Sequence, residues 1–291
     1  MNRRNFLRTT GAVSLFAGTS QTLSALASEP KYRNNVGLQI YSVRNELKAD
    51  TAGTIKSLAE AGYGQVEMYG FPKCDDMIKA AQDNGLGINS THFEWETAVN
   101  PSDKAFSDFK KIVEQAEQVK LTHLCVPYLQ DKDRSNLDGY KRVAGNLNKA
   151  AVIAKEAGIQ LAYHNHAFEY QPMEGSNGYE IFIQEFAPEM KFEIDVFWVK
   201  AANQDPVALI NKLKGRVSQL HLKDIKKEIK LPIYGGMPKE NFKELGNGQI
   251  PMEPIIKAGK EAGVAHCHIE QDHSPNPLQS VAESVRYLKA L

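Results

Sequence analysis

The chain has 291 residues, 35 basic and 35 acidic side chains, zero formal net charge and 42% hydrophobic residues. That balance excludes the electrostatic attraction that nucleic acid or an anionic membrane surface exerts on basic proteins, so neither is an expected partner. Three cysteines, Cys74, Cys125 and Cys267, cannot all pair internally and lack the spacing of a zinc ribbon or redox pair; they are expected in the core as small apolar residues.

The chain begins with "NRRNFLRTTGAVSLFAG", in which Arg3 and Arg4 precede Phe6 and Leu7. A short, weakly apolar stretch follows, and small residues end at Ala27. This pattern reads as a twin-arginine export signal over residues 1–27, with a periplasmic destination. Its apolar run is too short to span a bilayer, so no permanent membrane anchor is expected. Cleavage would remove three arginines and no acid, leaving a slightly acidic mature chain over residues 28–291.

From there short apolar runs alternate with longer amphipathic ones. The apolar runs are "VGLQIYS", "GQVEMYG", "GINSTHF", "THLCVPY", "IQLAYHN", "KFEIDVFW", "SQLHLKD" and "AHCHIEQD". Between them lie helical patterns such as "TAGTIKSLAEAG", "FSDFKKIVEQAEQVK", "GYKRVAGNLNKAAVIAKEAG" and "PVALINKLKG". Several close on Gly just before the next strand, a helix C-terminal signal. One strand–helix unit per roughly 30 residues, repeated eight times, predicts an α/β protein with a (β/α)8 barrel. A doubly wound sheet would want a Gly-rich first turn, which is missing. The longest irregular insertion, "KKEIKLPIYGGMPKENFKELGNGQ", follows the seventh strand. Ordered loops of that length are often functional.

In such a barrel the active site lies at the C-terminal strand ends. In chain order those ends offer Gln39 and Tyr41, then Glu67 and Tyr69, His92, Pro127 and Tyr128. They continue with His164, His166 and Glu169, then Asp195 and Trp198, then His221, Lys223 and Asp224, and finally Glu270 and Asp272. On an extended strand His164 and His166 share one face and Asn165 takes the other. Singly, Asp195 could cap a helix, His221 could be a satisfied core histidine, and Glu270 could pair with a lysine. Together, from three successive strands at matched depth, two carboxylates and an imidazole suit Mn²⁺, Co²⁺ or Zn²⁺.

The stretches "GLQIYSVR", "GYGQVEMYG", "YHNHAFEY", "EIDVFWV", "HLKD", "LGNGQI" and "IEQD" resemble the sugar phosphate isomerase/epimerase family with the xylose isomerase-like barrel. The resemblance runs from about Val36 to Leu291. It implies a divalent ion (Mn, Co, Zn or Mg) held by Asp195, His221 and Glu270, and a ketose, keto-sugar or cyclitol substrate. Many relatives take a further ligand from a glutamate near the end of strand five. Here His164 stands in that region and Glu169 is displaced into the following loop, so His164 is assigned to the metal. His166 is assigned to substrate binding or proton transfer.

The matching chemistry is proton abstraction beside a carbonyl, with Glu67, His166 and Glu169 as acid or base candidates and Lys223 holding the oxyanion. Gln39, His92 and Trp198 are expected at the substrate. Export and the lack of a phosphate-binding loop favour a non-phosphorylated sugar or keto-sugar. The expected activity is a metal-dependent isomerase or epimerase. A 3-keto-glycoside lyase or hydrolase on the same site is the alternative, and a non-catalytic periplasmic sugar binder is a third class. Abasic-site nucleases share this barrel but need a basic groove, which the mature charge opposes. Self-association into a homo-oligomer is left open.

Overall fold

In a computed structural model, which describes residues 35–291, each of the eight apolar runs contains one strand of a closed, all-parallel barrel. The twin-arginine segment lies outside the described residues. The barrel strands are β1 (Gly37–Gln39), β2 (Gln65–Phe71), β3 (Gly87–Phe93), β4 (His123–Val126), β5 (Gln160–His164), β6 (Lys191–Asp195), β7 (Val217–Leu222) and β10 (His266–Ile269). Two short strands inside the loop after β7, β8 (Asp224–Ile225) and β9 (Phe242–Lys243), form an antiparallel ribbon. Barrel order follows the chain, with β1 closing against β10.

The helices begin and end where local chemistry directs. Asp50 accepts from the Gly53 amide to cap helix Thr51–Ala61, and Gly62 ends it in the left-handed region at φ +99°, where a side chain would be strained. Asn136 caps helix Leu137–Glu156 in the same way. The helices cover the outer faces of the strands, so a strand such as β7 is buried at every position, as parallel sheets require. All three cysteines are free and buried. Among the described residues no helix is long and apolar enough to cross a membrane.

Register aligns the polar positions. Asp195 of β6 pairs with His221 of β7, and His221 pairs with His268 of β10. His164 of β5 pairs with Glu193 of β6. Because inward-facing residues alternate along each strand, these pairings stack two polar levels in the upper barrel.

Asp224, named above among the strand ends, serves the loop. Its carboxylate accepts from the amides of Ile225, Gly246, Gly248 and Ile250, tying both ends of the insertion together. A Cβ at Gly248 would lie 2.1 Å from Asp224 Oδ1, which explains why that close approach uses glycine. The anchored loop contributes Gly236, Met237 and Phe242 to the wall of a cavity at the strand ends.

Candidate active site

The cavity has a volume of about 660 Å³. His92, His164, His166, Lys223, Glu270 and Asp272 reach into it. Aromatic side chains, including Tyr41, Tyr69, Trp95, Tyr128, Trp198 and Phe242, make up much of its wall.

At its base His164, Asp195, His221 and Glu270 are all buried, and each offers a ligand atom within 4.8 Å of the others. Asp195 does two jobs. Its Oδ1 accepts from the amides of Phe197 (2.8 Å) and Trp198 (3.3 Å), capping helix Val196–Ala201. Its Oδ2 is buried, 3.0 Å from the Lys223 ammonium and 3.8 Å from His164 Nε2. Two imidazoles and two carboxylates converging on one buried point fit a borderline divalent ion.

Lys223 enters the same cluster. Its ammonium is 3.0 Å from Asp195 Oδ2, 2.7 Å from Glu270 Oε2 and 3.2 Å from Asp272 Oδ2. Burial opposes its charge, but Asp195, Asp272 and Glu270 outweigh that penalty and raise its pKa. Burial pushes the Asp272 carboxyl up to about 6, with Lys223 pulling the other way. For His221, burial is outweighed by Glu193, Glu270 and Glu67, and its pKa rises well above the usual imidazole value.

His166 differs from its neighbour. Strand β5 stops at His164, so strict strand alternation does not carry to His166, although both rings line the cavity. Asn165 turns instead to β6, accepting from the Asp195 amide and donating to its carbonyl. The His166 ring stacks on Phe168 at 5.3 Å and lies against Trp198 at 5.0 Å. Its Nδ1 has no hydrogen-bond partner. Burial first, then the charges of His164 and Lys223, hold its pKa well below 6.5. The ring is therefore neutral at neutral pH, with Nδ1 buried and the ring lining the cavity.

Three expected site residues sit elsewhere. Glu169 does not line the cavity: it is fully buried, and its carboxylate accepts from the His166 amide (2.9 Å) and the Tyr163 hydroxyl (2.7 Å). The turn Phe168–Tyr170 after β5 folds it back toward the outward-facing Tyr163, and burial lifts its pKa to about 7. Glu67 lies beneath the cavity because β2 continues to Phe71, bringing Tyr69 and Gly70 to the opening instead. Gln39 is buried with it, donating to Glu67 Oε2 at 2.9 Å. His92 and Trp198 do line the cavity.

Glu193 and His268 escaped the strand-end reading. Each lies two residues before a rim acid, Asp195 or Glu270, and alternation gives each pair one facing. That parity was the available signal. Arg44, also unread, lines the cavity and donates to the carbonyls of Tyr41 and Asp272.

The family model described as xylose isomerase-like TIM barrel matches residues 55–291. The inosose dehydratase of Clostridium beijerinckii is 24% identical over 81% of this chain and 87% of its own. The crystal structure of a sugar phosphate isomerase/epimerase from Parabacteroides distasonis superposes with a TM-score of 0.72 at 25% identity, covering 91% of this chain and 96% of that one. The IolI protein with a bound zinc atom superposes with a TM-score of 0.64 at 16% identity, covering 88% and 95%; this likeness is one of fold.

Proposed function

The chain belongs to the xylose isomerase-like TIM barrel family, and on that premise we propose that it is an enzyme that removes a proton beside the carbonyl of a non-phosphorylated sugar or cyclitol ketone and then expels water. The observation that carries this reading is the cavity floor, where the neutral His166 ring lines the same space as the Lys223 ammonium and the Asp272 carboxyl. His164, Asp195, His221 and Glu270 would hold a divalent ion, which when bound supplies Lewis-acid polarisation of substrate oxygens worth several kcal/mol. His166 takes the α-proton through Nε2, the ring nitrogen on the cavity side, and the C–H electron pair becomes the enolate. Lys223 faces the developing oxyanion. Asp272, with a pKa near 6, gives a proton to the departing β-hydroxyl, so water leaves as the C=C bond forms. Trp198 and Tyr128 exclude bulk water from this floor.

Elimination is favoured over simple proton return by the likeness to an inosose dehydratase across 81% of the chain. Isomerisation or epimerisation needs the same first step and is the second reading, supported by the P. distasonis structure. Export through the twin-arginine segment, also a proposal, agrees with a neutral substrate. The test incubates metal-loaded enzyme with neutral keto-sugars and inososes in D₂O. Loss of water with a new enone absorbance supports dehydration; deuterium uptake without it supports the second reading. No exchange or elimination with any member of the panel would contradict both.

A further inference from the structure

Beneath the cavity floor lies a second polar group. Glu67, Glu193, His221 and His268 are all buried, and each offers a ligand atom within 4.8 Å of the others. Glu67 and Glu193 are both 0% exposed. Among the described residues no lysine or arginine comes within ion-pair distance of either; their ionisable partners are imidazoles. Gln39 and Ser90 donate to Glu67, while Gln219 and Cys125 donate to Glu193. These neutral donors satisfy oxygens without cancelling charge, and the single imidazolium of His221, shared with Glu270 above, offsets at most one of the two buried negative charges.

His268 is the independent sign that something is bound here. Its ring is 0% exposed, and neither nitrogen has a hydrogen-bond partner. Nδ1 lies 3.9 Å from Glu67 Oε2, too far for a hydrogen bond and close to the spacing of two atoms that share one metal at about 2.0–2.2 Å each. Gln219 Oε1 is a further buried oxygen without a partner. Gly37 makes the space for the ring, since a Cβ there would lie 2.3 Å from His268 Cδ2.

We propose that Glu67, Glu193 and His268, with Nε2 of His221, form a second divalent-cation site inside the barrel, one level below the mouth; with both positions filled His221 would bridge them as an imidazolate, both ring protons going to solvent. Two carboxylate and two imidazole donors select a borderline ion such as Zn²⁺, Co²⁺ or Mn²⁺. His221 separates the two positions: Nδ1 lies 3.0 Å from Glu270 Oε2 above, and Nε2 lies 2.6 Å from Glu67 Oε2 and 3.3 Å from Glu193 Oε1 below. His92 stands between the cavity and this position: it lines the cavity and lies 3.6 Å from Glu67 Oε2 and 3.4 Å from Glu193 Oε2.

The test uses the full chain, stripped of metal, saturated with Zn²⁺ alone and dialysed. Metal analysis should give two zinc ions per chain, falling to one in His268→Asn and, by loss of the other ion, to one in Asp195→Asn. Anomalous diffraction at the zinc edge should place one peak between Glu67 and His268 and another among His164, Asp195 and Glu270. A single mouth peak with unchanged stoichiometry in His268→Asn would overturn the proposal, as would a second ion found on the surface. If His268→Asn does not fold, the wild-type anomalous map decides alone. The outcome is independent of the catalytic reading, because zinc counts and peak positions require no turnover.

Discussion

Two levels of the same barrel use the same side chains and balance them differently. At the mouth Asp195, Glu270 and Asp272 share the Lys223 ammonium. One level down Glu67 and Glu193 are as deeply buried, and among the described residues imidazoles are the only basic side chains within ion-pair distance of them. A lysine is a fixed charge that persists across the working pH range, whereas an imidazole can give up its proton or bind a metal. The mouth therefore keeps a fixed positive charge among its carboxylates at every working pH. The lower level depends on what its histidines carry.

The largest effect that would sharpen this contrast comes from Lys223→Met. Removing the cation leaves three carboxylates in contact with no fixed positive charge, and breaking a buried ion pair in this way costs about 3–5 kcal/mol. The metal-free variant should melt well below wild type, and added Zn²⁺ should recover part of the loss. A melting temperature equal to wild type would show that the lysine does not balance the mouth.

Next comes His164→Ala. Outer partners of metal ligands are worth about 10–100-fold in affinity, so loss of a direct ligand should weaken mouth binding by roughly a hundredfold or more, read by zinc titration. Unchanged affinity would remove His164 from the ligand set.

The smallest effect concerns Glu169, outside both levels. Burial raises its pKa in the folded protein to about 7, above the ordinary carboxyl value of 4.5. The folded state therefore holds the proton more tightly. This contribution is fully present below pH 4.5 and is lost as pH rises to 7, at up to about 1.4 kcal/mol per pH unit. Glu169→Gln should flatten the stability profile over that window while the cavity keeps its metal. A profile with the same slope would mean that another group titrates there.

The barrel was legible because eight apolar runs, separated by capped amphipathic segments, leave few alternatives. His164, Asp195, His221 and Glu270 were legible because they lie at strand ends, where a barrel gathers side chains. Depth was harder to read. How far each strand runs is set by pairing with its neighbours, so β2 continues to Phe71 and leaves Glu67 below the opening, while β5 stops at His164 and lets Glu169 fold outward. Glu193 and His268 were hidden by apolar neighbours in sequence, although parity with Asp195 and Glu270 marks them as inward-facing.

If His166 moves the substrate proton while the mouth ligands hold the ion, His166→Gln separates the two roles when its deuterium exchange into a keto-sugar or inosose is measured alongside its zinc content. A positioned base contributes about a hundredfold or more, so exchange should fall by at least that factor with zinc per chain unchanged. Exchange at the wild-type rate, or loss of zinc in this variant, would contradict the assignment.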